Sequence, residues 1–259
     1  MADLPRQLTA PPHAAAHLLQ YHDLIESIVS ALDARDTYTA SHSNRVADMV
    51  LVLAAALGLD PDETALIHIA AHLHDIGKIA VPDAVLRKTG PLTADEWQEM
   101  RRHPVTGYNI LRRVADFQDI AVLVLHHHER WDGCGYPDGL SGTDIPLGSR
   151  IIAVADSIDA MMSSRSYRTA TTGAACRCEI EKNSGIMYDP HVASAALAHW
   201  DTLISRYAAD TPRTPYFDRL MLERTRQAHD YLVAHQDSRI TLAELAAKFH
   251  LSQSSLKLC

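Results

Sequence analysis

Hydrophobic residues recur along this chain with the spacing of α-helices. In two early segments apolar side chains return every three or four positions, which places them on one face of a helix. The two segments are defined by Leu24, Ile25, Ile28, Val29 and Leu32, and by Val46, Met49, Val50, Leu53 and Leu57. Gly58 follows the second segment and supplies a stop signal. The pattern predicts two consecutive helices.

Further helices are marked by start signals. Asp60 followed by Pro61 combines a capping side chain with proline at the first helical position. Thr93 and Glu96 have the spacing of a capping box, in which each side chain bonds the backbone N–H of the other residue. No alternating run of β-branched residues is long enough to predict a strand. The expected fold class is therefore all-α, a bundle of helices.

Residues 130–148 interrupt the helical pattern, between apolar stretches at 120–125 and 151–158. They contain five of the eleven glycines and two prolines, which predicts a shaped loop. Two interpretations of this loop stay open, a bend between helices or a wall of a substrate site. A combination of both is favoured because Gly133 and Gly135 let the backbone approach a ligand closely.

The chain is predicted to hold a main domain between a tail and a small appendage. Residues 1–18 include three prolines and no sustained periodicity, as expected of a tail. A polar, proline-bearing break at 210–215 marks the other boundary. We therefore assign residues 19–208 to the helical main domain and residues 209–259 to a small C-terminal helical segment.

Charge and composition narrow the classes of function. The formal net charge of -8 argues against a general nucleic-acid binder, which needs a basic surface. No apolar run reaches the roughly 18 residues of a spanning helix, and the first residues lack the build of a signal peptide. A cytoplasmic protein with no membrane partner is expected. The four cysteines fit neither a disulfide framework nor a zinc motif, so reduced thiols are expected.

The histidines point to metal chemistry. The chain has sixteen of them, against three phenylalanines and three tryptophans. His74 directly followed by Asp75 at a helix end offers an imidazole and a hard carboxylate to the same cation, and Lys78 can reach a phosphate bound there. A helical bundle builds a multi-metal site from such side chains on several helices. Further candidates at helix ends or faces are His42, His103, His127, His128 and Asp156.

The other histidines are expected to be ordinary core or surface residues. Among them is His126, which directly precedes two of the candidates. His68 and His72 lie on the helix that leads to His74, so they are candidates for residues that orient the metal ligands through hydrogen bonds.

From about residue 36 to residue 192, the order and spacing of these motifs resemble the HD-GYP domain, a branch of the HD phosphohydrolases. The most specific motif is the string HHERWDGCGYP at 127–137, and HDIGKI at 74–79 is a second. The remaining matches are Tyr38-Thr39, His42-Ser43, Arg45-Val46, His103-Pro104 with Gly107, residues 156–160 and residues 165–168.

The resemblance implies an HD-domain bundle with a GYP loop and a metal-dependent phosphodiesterase. The implied substrate is cyclic di-GMP, cleaved to linear pGpG with further cleavage to GMP left open, while some relatives cleave cyclic GMP-AMP. The implied metal ligands are His42, His74, Asp75, His103, His127, His128 and Asp156. The implied catalytic residues are Asp75 and Lys78, and the substrate-binding candidates are Lys78, Gly135, Tyr136, Pro137, Asp159, Arg165 and Arg168.

The metal ions are expected to be two first-row divalent cations. Members with three ions have a glutamate four residues before the first histidine ligand, where this chain has Tyr38. Five imidazoles with two carboxylates suit intermediate first-row metals better than magnesium or calcium, so iron or manganese is expected. The nucleophile would then be a metal-activated hydroxide. Ser166 stands where relatives often have proline, which leaves Arg165 and Arg168 in place.

The C-terminal segment resembles the first helix-turn-helix of AraC-type transcription regulators. The match lies in residues 240–257, and the sequence stops at Cys259, inside what would be the DNA-reading helix. Sequence-specific recognition needs that helix in the major groove, so DNA is not the expected partner. An interaction or dimerisation segment is the favoured interpretation, and a homodimer or a signalling-protein partner stays open.

Three other functions stay open on the sequence. A general HD nucleotidase would not need the GYP segment. A receptor that binds cyclic di-GMP without cutting it would not need the complete ligand set. A DNA-binding regulator conflicts with the net charge of -8 and with the incomplete helix-turn-helix.

Overall fold

The structure, a computed structural model, describes residues 22–35, 42–163 and 170–207, together with Tyr231. By its internal contacts the chain divides into two compact units, residues 1–210 and residues 211–259. Helices account for the regular structure of the described ranges, and the one β-feature seen there is an isolated bridge between Ser184 and Tyr188. The predicted all-α fold class is confirmed.

Eleven α-helices lie in the described parts of the first unit. They are α1 His22–Arg35, α2 His42–Ala56, α3 Pro61–Leu73, α4 Asp83–Leu86, α5 Ala94–Met100, α6 His103–Leu111, α7 Gln118–Leu125, α8 Leu147–Met162, α9 Gly173–Lys182, α10 Pro190–Ala198 and α11 Trp200–Ile204. Short 3-10 turns cover Ile76–Ala80, Ala115–Phe117, Gly142–Asp144 and Ser205–Tyr207.

The core lies where α2, α3, α7 and α8 pack together. Their inward faces supply Leu53, Ile67, Leu123, Ile151 and Ile152, all of which are almost completely removed from solvent. On α3 every residue from position 65 to position 73 is buried, so its C-terminal end is held inside the domain. This rigid centre positions the residues that follow α3 and α7.

The predicted helix starts are present. The Asp60 carboxylate accepts hydrogen bonds from the backbone N–H groups of Asp62 and Glu63, both at 2.9 Å, with Pro61 at the first helical position. Thr93 and Glu96 form the reciprocal capping box. The loop that begins at residue 130 ends slightly earlier than predicted, because α8 starts at Leu147 directly after Pro146.

A close backbone approach joins the turn after α3 to α6. A Cβ atom on Gly77 would lie 1.9 Å from the carbonyl oxygen of His103 and 2.6 Å from the amide nitrogen of Gly107. Gly107 itself packs against Ile76 and Val124. Only hydrogen at Gly77 allows this contact, which brings the start of α6 beside the end of α3.

Within the described ranges, helices long and apolar enough to cross a bilayer are absent.

Candidate metal centre

The seven predicted metal ligands meet in one place. His74 and Asp75 directly follow α3, and His127 and His128 follow α7. The other three lie on helices: His42 and His103 are the first residues of α2 and α6, and Asp156 lies within α8. Five of the seven are less than a tenth exposed, namely His42, His74, Asp75, His103 and His127.

One group forms around His42. Its Nε2 atom lies 3.3 Å from Nε2 of His74, 3.3 Å from Oδ1 of Asp156 and 3.8 Å from Oδ2 of Asp75. Nε2 of His74 lies 3.4 Å from the same Asp75 oxygen. His42, His74 and Asp75 therefore offer one ligand atom each within 4.8 Å of one another, with Asp156 beside His42, a donor set suited to a first-row divalent cation.

A second group forms around His103. Its Nε2 atom lies 3.3 Å from Nε2 of His127, and the ring centroid of His128 lies 5.0 Å from that of His103 and 4.1 Å from that of His127. The three residues offer one ring nitrogen each within 4.8 Å of one another, which is a second candidate metal cluster.

Asp75 joins the two groups. Its Oδ1 atom lies 3.3 Å from Nε2 of His103, while its Oδ2 atom faces His42 and His74. One oxygen therefore points toward each cluster, as a carboxylate that bridges two cations must do.

The imidazoles are held in the form that binds metal. Nδ1 of His74, His103 and His127 lies 2.7, 2.8 and 2.6 Å from the backbone carbonyl oxygen three residues earlier. A carbonyl can only accept, so Nδ1 must donate, and in the neutral ring Nε2 then carries a lone pair. The Nε2 atoms of His103 and His127 face each other at 3.3 Å with their lone pairs, an arrangement that a cation between them would stabilise. The residues present fit a metal centre.

The pKa values of His103, His127, His128 and Asp75 favour metal ligation. Burial lowers the pKa of His103 to about 3 and that of His128 to about 4, and it holds the pKa of His127 well below its ordinary value. Burial would raise the pKa of Asp75, but the ammonium group of Lys78 and the neighbouring histidines outweigh it and hold that pKa well below its usual range. These histidines are therefore neutral, and the aspartate ionised, at neutral pH.

Asp159, for which a substrate contact stays a prediction, is buried beside His42. Its side chain is 1% exposed, and its carboxylate lies 2.6 Å from Nδ1 of His42 while also binding Arg45 and Tyr207. Burial lowers the pKa of His42, but hydrogen bonds and charges from Asp156 and Asp159 raise it to about 9. Asp159 lies behind His42 and orients its ring, because a carboxylate that accepts from Nδ1 points Nε2 to the opposite side.

Lys78 lies at the edge of the centre. Its Nζ atom donates to Oδ2 of Asp75 at 2.6 Å, and 23% of its side chain is exposed. The ammonium group is thus anchored by the bridging carboxylate and still accessible to solvent.

The loop at 130–148, called the GYP loop after Gly135, Tyr136 and Pro137, covers one side of the centre. The ring of Tyr136 stacks on that of His128 with centroids 4.9 Å apart, and the guanidinium of Arg101 lies 5.3 Å from the Tyr136 centroid. A Cβ atom on Gly135 would lie 2.4 Å from the backbone nitrogen of Arg130, so this glycine lets the loop fold back on itself. Trp131 lies under the guanidinium of Arg150, 5.8 Å from ring centroid to Cζ.

Some residues of this region were not expected from the sequence. Arg101 precedes a ligand by two positions, but nothing in the pattern linked it to the loop. His126 and Glu129 flank the candidate ligands His127 and His128, but the sequence pattern did not predict them as ligands. In the structure they group with Asp138. For His68 and His72 the structure gives a contact of 3.2 Å between their Nε2 atoms and one of 3.1 Å from His68 to the carbonyl of Ala47, so their supporting role stays a prediction.

Several predictions fall on residues outside the described ranges. These are the tail at 1–18, Tyr38, Arg165, Arg168 and the helix-turn-helix match at 240–257. The assignment of 209–259 as a separate segment stays a prediction as well.

Comparison with known proteins points to one family. A family model described as an HD domain matches residues 23–192. The chain is 42% identical over 177 residues to the cyclic di-GMP phosphodiesterase response regulator RpfG of Xanthomonas campestris pv. campestris. The aligned residues cover 68% of this chain and 47% of that protein. It is 39% identical over 185 residues to 3'3'-cGAMP-specific phosphodiesterase 2 of Vibrio cholerae, covering 71% of this chain and 35% of that protein. The chain thus spans about half or less of the length of these relatives.

A solved structure agrees with the fold. The crystal structure of a cyclic GMP-AMP specific phosphodiesterase from V. cholerae, V-cGAP3, superposes with a TM-score of 0.55 at 18% identity, covering 95% of this chain and 68% of that one. At this identity the likeness concerns the fold alone. The family model spans well over half of the sequence and includes all seven converging side chains, so the expectation from the HD-GYP motifs is confirmed: the protein belongs to the HD domain family.

Proposed function

We propose that the domain is a metal-dependent phosphodiesterase that hydrolyses cyclic di-GMP to linear pGpG. The observation that supports this most directly is Asp75, whose two oxygens face two separate clusters of imidazole nitrogens. A pair of cations bridged by one carboxylate is the arrangement that suits in-line attack on a phosphodiester. The relatives named cyclic di-GMP phosphodiesterase and cGAMP phosphodiesterase support a cyclic dinucleotide as the substrate.

The ions proposed are two first-row divalent cations, iron or manganese. His42, His74 and Asp156 would hold one, His103, His127 and His128 the other, and Asp75 would bridge them. When bound, such cations lower the pKa of a water molecule and neutralise charge that develops on the phosphate. The predominance of neutral imidazole supports iron or manganese over magnesium or calcium.

The side chains of this chain would orient the substrate and shield it. Lys78, anchored on Asp75, presents its ammonium group at the accessible edge, where it can bind a non-bridging phosphate oxygen. Tyr136, stacked on His128 and covered by Arg101, forms a wall against which a guanine base can pack. Arg165 and Arg168 remain proposed phosphate contacts on the strength of the motif.

The test is turnover by the purified full chain. The protein would be incubated anaerobically with cyclic di-GMP or with 3'3'-cGAMP, with Fe²⁺ and Mn²⁺ supplied in separate samples, and products separated by chromatography. Formation of linear pGpG supports the proposal. Cleavage of 3'3'-cGAMP in its place would move the substrate assignment to the mixed dinucleotide, and binding without cleavage would establish a receptor.

Substitution of Lys78 by alanine is expected to lower kcat about 100-fold while bound metal is unchanged. The reason is that a preorganised cation that stabilises charge on a transferring phosphate contributes on the order of 3 kcal/mol to the transition state. Steady-state kinetics and metal analysis of the same preparation measure both quantities. If kcat stays within about twofold of the unsubstituted protein, Lys78 does not contact the reacting phosphate.

Substitution of Asp159 by asparagine is expected to weaken metal binding by about 10- to 100-fold, because the carboxylate that orients His42 is lost. Metal titration with a chromophoric competitor measures the change, with circular dichroism to establish that the protein is folded. Tyr207→Phe is the matched control, since it removes one contact to Asp159 and leaves the His42 contact in place. Equal metal affinity in the Asp159 and Tyr207 variants would contradict a positioning role.

A further inference from the structure

A third cluster of potential ligands lies beside the proposed centre and shares no residue with it. It consists of His126, Glu129 and Asp138, which offer one ligand atom each within 4.8 Å of one another. Nδ1 of His126 lies 3.8 Å from Oε1 of Glu129 and 3.8 Å from Oδ2 of Asp138. His126 directly follows α7, Glu129 lies three positions later, and Asp138 directly follows the Gly-Tyr-Pro sequence at 135–137.

Glu129 is buried, and one of its two carboxylate oxygens has no hydrogen-bond partner among the described residues. Its side chain has 0% exposure. Oε1 accepts hydrogen bonds from the backbone N–H groups of Asp138 at 2.8 Å and Gly139 at 3.1 Å. Oε2 is buried and has no hydrogen-bond partner among the described residues. A carboxylate removed from water in this way is costly unless a cation or further donors compensate its charge.

His126 also has a buried polar atom without a hydrogen-bond partner among the described residues. Its Nδ1 atom, which faces both carboxylates, is buried and without a hydrogen-bond partner in the described ranges. The distances of 3.8 Å are too long for a hydrogen bond. They are close to the roughly 3.4 Å that separates two ligands of a tetrahedral zinc ion with bonds of about 2.1 Å. Asp138, with 56% of its side chain exposed, has the freedom to close the difference.

We propose that His126, Glu129 and Asp138 bind a Zn²⁺ ion at a site separate from the phosphodiesterase centre. One imidazole and two carboxylates match the ligands that zinc takes in proteins. The imidazole disfavours calcium and magnesium, and zinc binds such a set more tightly than Fe²⁺ or Mn²⁺ does. The buried, unpartnered atoms of His126 and Glu129 distinguish the cluster from an ordinary group of surface acids.

The site connects the two ends of the segment 129–138, which contains the Gly-Tyr-Pro sequence at 135–137. An ion held between Glu129 and Asp138 would therefore tie this segment to His126 at the end of α7. The ring of Tyr136, stacked on His128, lies within the segment that is closed in this way. Zinc at this site therefore stabilises the loop that forms the wall of the neighbouring centre without being part of that centre.

The test counts zinc ions bound by the full chain. Equilibrium dialysis against ZnCl₂, followed by elemental analysis, would compare the unsubstituted protein with Asp138→Ala and with Asp144→Ala. Both aspartates are exposed residues of the same loop, so the second is a matched control for charge and location. We expect Asp138→Ala to bind about one zinc ion fewer per chain, with the apparent Kd of that ion raised at least about 100-fold, and Asp144→Ala to bind the full number.

A further variant separates this site from the phosphodiesterase centre. Asp75→Ala is expected to bind less zinc at that centre and to keep the ion at His126, Glu129 and Asp138, so the Asp75→Ala, Asp138→Ala double variant is expected to bind about one ion fewer than Asp75→Ala. Hydrogen exchange of residues 130–148 is expected to slow on zinc addition in Asp75→Ala and to be unchanged in the double variant. Equal zinc content in Asp138→Ala and the unsubstituted protein would overturn the proposal, whatever the outcome of the assay with cyclic di-GMP.

Discussion

Replacement of Asp75 by alanine is expected to reduce kcat/KM for cyclic di-GMP by about 1000-fold or more. One oxygen of Asp75 faces each cluster, so under the proposed function its loss would remove the bridge and a negative charge that both cations would require. Two-metal activation contributes several kcal/mol to the transition state, and a loss of about 4 kcal/mol corresponds to a factor of about 1000. The variant is also expected to bind less iron or manganese per chain.

The Asp75 experiment needs a control for the loss of one acidic residue. Asp95→Ala removes an exposed carboxylate from the first turn of α5, where only a small change in stability and none in metal content is expected. Linear pGpG would be quantified by chromatography for both variants under identical metal loading. Retention of more than about a tenth of the activity in Asp75→Ala would exclude this residue as the bridge between the cations.

Replacement of Gly77 by alanine is expected to destabilise the domain by about 3 kcal/mol or more. The added methyl group would lie 1.9 Å from the backbone oxygen of His103 and 2.6 Å from the backbone nitrogen of Gly107. Overpacking usually costs about 1 to 3 kcal/mol, and a clash with backbone cannot be relieved by a change of rotamer. The melting temperature is expected to fall by roughly 6 to 12 °C.

The matched control for Gly77 is Gly90→Ala. Nothing lies within 4 Å of a Cβ atom built on Gly90, so the melting temperature of this variant should stay close to that of the unsubstituted protein. Thermal unfolding followed by circular dichroism compares the two. Metal content reports a second consequence, because a shifted α6 moves His103 away from His127. If Gly77→Ala has the same melting temperature as Gly90→Ala and binds the normal amount of metal, the close contact between Gly77 and α6 does not exist in solution.

The seven candidate ligands and the helix starts could be identified from the sequence because their signals are local. Asp60 with Pro61, and Thr93 with Glu96, mark helix starts through contacts within three or four residues. The motifs that contain the ligands are short strings with fixed spacing, so their resemblance to HD-GYP domains can be recognised without a structure. The role of Asp159 could not be predicted, because it depends on α8 lying beside the start of α2, a contact between residues 117 positions apart.

The sequence by itself determined the all-α class, the family and the identity of the candidate ligands, since hydrophobic spacing, caps and motif strings are properties of neighbouring residues. Only the tertiary structure decided that Asp75 faces both clusters and that Asp159 lies behind His42. It alone showed that His126 and Glu129, beside Asp138, each have a buried polar atom without a hydrogen-bond partner among the described residues. The physical reason is that distances of 3 to 4 Å between side chains on different helices depend on how the helices pack, and close approaches such as that of Gly77 to His103 set this packing.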